Sequence, residues 1–133
     1  MRRIDYLVLH HTGGSTLTGA LSWLRQQGTS YHELIDNDES ATVYQMTPFD
    51  MIAHHARGVN ANSIGLALVG HFGNNPPTPT QIARMTERIN YIRMLFPGIK
   101  IVNHRDVSAT SCPVIDLVEL YHEHCRAPWG RVD

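Results

Sequence analysis

Apolar and polar positions along this chain fall into blocks of different period, and the changes of period mark its elements. Residues 6–9 (Tyr-Leu-Val-Leu) are a short β-rich run that stops at His10-His11-Thr12-Gly13-Gly14, which predicts a buried strand ending in a turn. From Thr16 to Gln27, Leu17, Leu21 and Leu24 recur at helical spacing, and Gly28 supplies a stop. Two β-rich runs, 31–35 and 42–45, flank the polar stretch 36–40 and read as a hairpin. Residues 63–69 are almost continuously apolar around Gly65, as in a central strand covered on both faces. Thr78 can cap the next helix with Pro79 in its first position. That helix carries Ile82, Met85, Ile89, Ile92 and Phe96 on one stripe and stops at Pro97-Gly98. Residues 99–102 predict another short strand, feeding His104, and a last helix covers about 115–124.

The order strand, helix, hairpin, strand, helix, strand, helix predicts an α/β fold: one central mixed β-sheet flanked by about three helices. At 133 residues, without repeats or a linker, residues 1–133 read as a single domain long enough to bury a core without staples. His10 and His104 both follow predicted strand ends, the edge where functional residues of open α/β sheets collect. Only the fold could bring two residues so distant in sequence together.

Composition narrows the function. A net charge of −1 argues against a nucleic-acid binder or a polybasic membrane-surface protein, and neither partner is expected. No window approaches the ~18 apolar residues of a membrane span. Met1-Arg2-Arg3 looks like a signal n-region, but Asp5 interrupts it and the run at 6–9 is too short for an h-region. Two cysteines, Cys112 and Cys125, are no disulfide framework; a single bridge between them or two thiols are both compatible with the spacing. Nine histidines are many for this length, although i, i+2 residues such as His122 and His124 share no helix face and read as surface.

The candidate chemistry lies in His104-Arg-Asp-Val-Ser-Ala-Thr-Ser-Cys112-Pro113. A His and a Cys on one connecting loop offer imidazole and thiolate, ligand types that zinc prefers. A third ligand from the end of the first strand, His10 or His11, would leave a fourth position open, as in catalytic zinc sites. The bland reading has His104 at the surface and Cys112 as a small core residue. The chain has no His-Glu-x-x-His helix, no deaminase Pro-Cys-x-x-Cys and no Gly-rich phosphate loop.

Five blocks occur in one order: Val8-Leu-His-His-Thr-Gly13, Thr29-Ser-Tyr-His32, His55-Ala-Arg-Gly58, Asn60-Ala-Asn-Ser-Ile-Gly65 with Leu68-Val-Gly70, and His104-Arg-Asp-Val to Cys112-Pro113. From about residue 6 to 120 the chain resembles the type 2 N-acetylmuramoyl-L-alanine amidases, a family that includes peptidoglycan-recognition proteins and the small lysozymes of T-seven-type coliphages. The resemblance implies one zinc ion held by His10, His104 and Cys112, with His11 pointing to the other side of the extended chain. It implies Tyr31 as a catalytic residue whose phenol bonds the attacking water or the developing oxyanion. It places His55 on the substrate groove, which Arg57, Asn60 and Asn62 would help to shape. Phage relatives carry a Lys two residues before the ligand Cys; Thr110 stands here, able to donate a hydrogen bond but without charge, so the oxyanion leans more on zinc and Tyr31.

The implied reaction is hydrolysis of the amide between N-acetylmuramic acid and L-alanine in peptidoglycan, the expected partner. Other readings are a recognition module that grips the stem peptide without cutting, or a bacterial wall-recycling amidase. A compact amidase with neither wall-binding domain nor signal fits a phage endolysin: a monomer made in the host cytoplasm and acting in the periplasm after holin-type release. The coliphage lysozyme also inhibits its phage RNA polymerase through an N-terminal extension; with five residues ahead of Tyr6, that role is not expected here.

Overall fold

A computed structural model describes residues 2–126. Strands β1 (Tyr6–His11), β2 (Glu33–Ile35), β3 (Val43–Gln45), β4 (Ser63–Leu68) and β5 (Lys100–Asn103) form one sheet in the order β3-β2-β4-β1-β5. β1 runs parallel to β4 and β5, β2 runs parallel to β4, and only β3 is antiparallel. The expected mixed sheet is therefore present. Its hairpin is shorter than the pattern suggests: the ladder starts only at Glu33, and just before it the Gly65 N–H of β4 donates to the His32 ring (Nδ1, 3.0 Å) rather than to a carbonyl.

Four helices accompany the sheet: α1 (Leu17–Gln27), α2 (Pro79–Leu95), α3 (His104–Val107) and α4 (Leu117–Arg126). Thr16 caps α1 through the Gly19 N–H, and Gly28 closes it at φ 66°, a left-handed conformation that suits glycine. Thr78 and Gln81 form a reciprocal capping box on α2. The one-turn α3 has too short a pattern to be visible in sequence. The Asp106 carboxylate accepts the Asn103 N–H at 2.8 Å and turns the chain straight out of β5. α4 begins at Leu117 because Asn103 Oδ1 accepts the N–H groups of Leu117 and Val118 there. Among the described residues no helix is long and apolar enough to cross a membrane.

The two sheet faces differ in kind. Leu7, Leu9, Ile64, Leu66 and Leu68 meet Met85, Ile89 and Ile92 of α2 and Leu117 and Tyr121 of α4 in the main core. Each such fully buried side chain contributes about 1.5–3 kcal/mol. On the other face Leu34, Ala67 and Val69 pack against Leu17 and Leu21 of α1. By strand alternation β4 shows small residues on this second face, Ser63, Gly65 and Ala67, so the loop that carries His55 can lie close to the sheet.

Arg2 ties that loop down. Its guanidinium donates to the carbonyls of Phe49, Ala61 and Ser63 at 3.1, 3.2 and 2.8 Å. The first of the two N-terminal arginines thus contributes a structural staple. Arg2→Ala is expected to cost about 1.5 kcal/mol, since bonds to a charged group are worth more than neutral ones. Thermal unfolding measures this; an unchanged melting temperature would dismiss the staple.

Candidate metal centre

His10 sits at the C-terminal end of β1, opposite Ala67 of β4. Leu9 is level with Asn103 of β5, so the next residue, His104, falls beside His10 with ring centroids 4.4 Å apart. The chain then loops back, closed by the Arg105 N–H donating to the Cys112 carbonyl at 2.8 Å, and brings Cys112 Sγ to 3.9 Å from His10 Nδ1. One ligand atom from each of His10, His104 and Cys112 lies within 4.8 Å of the others. Parallel register, not sequence proximity, assembles this trio.

The donor set fits a zinc ion. His104 Nδ1 is buried and has no hydrogen-bond partner, a state that polar atoms avoid unless something outside the chain satisfies them. Burial, followed by the neighbouring imidazoles of His55, His104 and His11, holds His10 well below the usual histidine range; burial and then His11 lower His104. Both rings are therefore neutral near pH 7 and can offer lone pairs. Burial pushes the Cys112 thiol up to about 11, against the favourable His11 N–H and the Arg105 charge. Two nitrogens and one sulfur leave a fourth zinc position open.

His11 leaves the trio, as its neighbour position implies, yet it does not leave the sulfur. Its ring lies 6.0 Å from that of Phe72, while its backbone N–H and Nδ1 stand 3.4 and 3.2 Å from Cys112 Sγ. Cys112 and Cys125 are both thiols, and no disulfide joins them.

A groove of about 450 Å³ opens beside the trio, with Trp23, Tyr31, His55, Arg57, Asn60, His104, Ser108 and Thr110 in its walls. Tyr31 precedes β2 and places its ring centroid 4.9 Å from that of His10. Burial, and then Cys112, raise its phenol far above the usual value, so it stays protonated and keeps an O–H to donate. Thr110 Oγ1 accepts the Cys112 N–H at 3.2 Å, which braces the ligand loop and keeps its own O–H for an outside acceptor. Arg57 is exposed on the opposite wall, and its carbonyl accepts a bond from Ser108 Oγ at 2.8 Å that ties the walls together.

Two groove residues have their polar atoms engaged inside the protein. Asn60 Oδ1 accepts the N–H groups of both His55 and Ala56 at 2.8 Å, organising the loop. His55 is 9% exposed, with Nδ1 2.9 Å from His10 Nε2 and Nε2 3.0 Å from Ser63 Oγ. Sequence reasoning assigned no role to Trp23, Ser63, Gly65 or Ser108. The one signal for Trp23 was a large aromatic off the leucine stripe of α1; the serines carry no such mark.

A second cavity, about 370 Å³, lies between the β2–β3 hairpin and α2 and includes Glu33 and Tyr91. Its buried carboxylate is already gripped by Arg88 through two bonds of 2.8 and 2.6 Å, and none of the trio lines it. We place the chemistry at the groove.

A five-stranded mixed sheet with helices on both faces, and a His–His–Cys trio at its strand ends, defines a domain of the amidase and peptidoglycan-recognition fold. The chain belongs to the N-acetylmuramoyl-L-alanine amidase family, which matches residues 1–114. It is similar to the endolysin of Enterobacteria phage K11, 32% identical over 103 residues that cover 71% of this chain and 67% of that one. It is also similar to peptidoglycan-recognition protein SC2 of Drosophila simulans, 26% identical over 128 residues, 83% of this chain and 68% of the relative. The solved N-acetylmuramoyl-L-alanine amidase LysC from Clostridium intestinale matches with a TM-score of 0.81 and 27% identity, covering 92% of this chain and 85% of LysC.

Proposed function

We propose that this protein hydrolyses the amide between N-acetylmuramic acid and L-alanine of peptidoglycan with one zinc ion held by His10, His104 and Cys112. The convergence of those ligand atoms beside an open groove, with His104 in its wall, carries this reading. Zinc there would supply Lewis acidity toward the scissile carbonyl and acidify a water for attack. The chain's own groups do the rest. Tyr31 donates a hydrogen bond to the oxygen that gains charge as the carbonyl becomes tetrahedral, and Thr110 O–H supplies a second, uncharged donor. The proton lost by the attacking water must reach the leaving amine, either through water or through Tyr31, which takes that proton back as it gives its own. Arg57, at the groove edge, suits a carboxylate of the stem peptide.

Trp23 is 57% exposed on the groove wall, where its planar apolar face suits a sugar ring of the glycan strand. Trp23→Ala is expected to raise KM roughly fivefold at constant kcat, a loss of about 1 kcal/mol of uniform binding. Initial rates on soluble wall fragments measure it, and an unchanged KM would exclude that contact.

Release of stem peptides from purified Gram-negative sacculi tests the function. Activity should disappear on chelation and return with zinc; release that survives complete removal of metal would overturn the zinc reading. The similarity to phage endolysins supports a lytic role, with production in a host cytoplasm, holin-type release and action in the periplasm. Lysis of Gram-negative cells with a permeabilised outer membrane checks that role.

A further inference from the structure

The resemblance puts His55 on the substrate groove, but its two ring nitrogens are spent inside the protein. Nδ1 faces His10 Nε2 at 2.9 Å and Nε2 faces Ser63 Oγ at 3.0 Å, both in buried surroundings. The ring is wedged in place. A Cβ at Gly65 would lie 2.6 Å from His55 Cγ and Nδ1, so only glycine on β4 admits it. Its edge meets the rings of His10 and His32 at 5.1 and 5.7 Å, and Asn60 pins its backbone.

Resting on the zinc reading above, we infer that His55 is a positioning residue that holds His10 in the tautomer which turns a bare Nδ1 toward the metal. The hydrogen-bond chain has two directions. In one, His10 Nε2–H donates to His55 Nδ1, and His55 Nε2–H donates to Ser63 Oγ; His10 Nδ1 then carries a lone pair toward Cys112 and His104. In the other, His55 Nδ1–H donates to His10 Nε2, and the His10 proton sits on Nδ1, where it blocks ligation. Only the first direction permits a metal. Ligand histidines commonly give their second N–H to an acceptor that fixes ring and tautomer. Here the acceptor is a second imidazole, oriented in turn by a serine.

The test compares wild type, His55→Leu, His55→Asn and Ser63→Ala at one pH, by competitive zinc titration and by nitrogen-15 NMR of His10 in the zinc-free proteins. Zinc-free wild type should show His10 protonated on Nε2. His55→Leu should bind zinc 10–100-fold more weakly, the usual cost of losing such a partner, with His10 in mixed tautomers. His55→Asn, whose Oδ1 can stand near the lost Nδ1, should recover most of the affinity. Zinc affinity within twofold of wild type in His55→Leu, or His10 protonated on Nδ1 in wild type, would overturn the inference. Where His55→Leu does not fold, Ser63→Ala decides: a several-fold loss supports the chain, and unchanged affinity with an unchanged tautomer rejects it. Should wild type bind no zinc, the metal reading fails by itself, and the NMR of His10 still reports on the tautomer.

Discussion

Cys112→Ala will remove both zinc binding and peptide release. The substitution leaves two imidazoles, and a zinc ion held there would lose its only anionic ligand in a largely buried site. Lewis-acid assistance is worth several kcal/mol, so kcat/KM should fall by on the order of 10³-fold or more. The fold should survive, because Cys112 lies at the rim of the sheet and the main core does not depend on it. Zinc analysis and release from sacculi read the result together. Full activity in Cys112→Ala would sink the ligand assignment. A pH signature accompanies it. Both imidazoles are held neutral near pH 7, while burial keeps the Cys112 thiol protonated up to about 11. Zinc binding must then displace about one proton, from sulfur, and affinity must rise with pH across the neutral range. Calorimetry in buffers of different ionisation enthalpy counts that proton.

Tyr31→Phe has the second-largest expected effect, and it falls on turnover alone. The phenol is kept protonated by its surroundings, lines the groove and stands beside the His10 ring. Loss of one oxyanion donor typically lowers kcat by about 10²–10³-fold. The effect should lie at the upper end here, because Thr110 offers no charge to compensate. Zinc content and melting temperature should not change, as the ring and its packing are kept. Unaltered kcat with zinc retained would remove Tyr31 from the mechanism and shift the donor role to Thr110.

Much of the architecture was legible along the chain because its signals are local. The leucines of α1 with Thr16 and Gly28, the stripe of α2 behind Thr78 and Pro79, and the apolar run of β4 each announce their own geometry. Motif order named three candidate ligands, His10, His104 and Cys112, whose ligand atoms lie close together in the fold. What failed were short features: α3, a single turn closed by Asp106 onto Asn103 and too brief for a period to show, and the late start of β2, where the Gly65 N–H of β4 goes to the His32 ring.

The sequence by itself determined the elements, the family and the residue types able to hold a metal, since hydrophobic period and capping act within a few residues. Only the tertiary structure decided that His10 and His104 stand side by side, because that depends on the β1–β5 register. It also decided which nitrogens remain available. Motif order marks His55 only as a groove residue; the bare backbone of Gly65 and the hydroxyl of Ser63, both on β4, are what turn it toward His10. Hydrogen-bond direction is a property of three-dimensional contact, and no spacing along one chain encodes it.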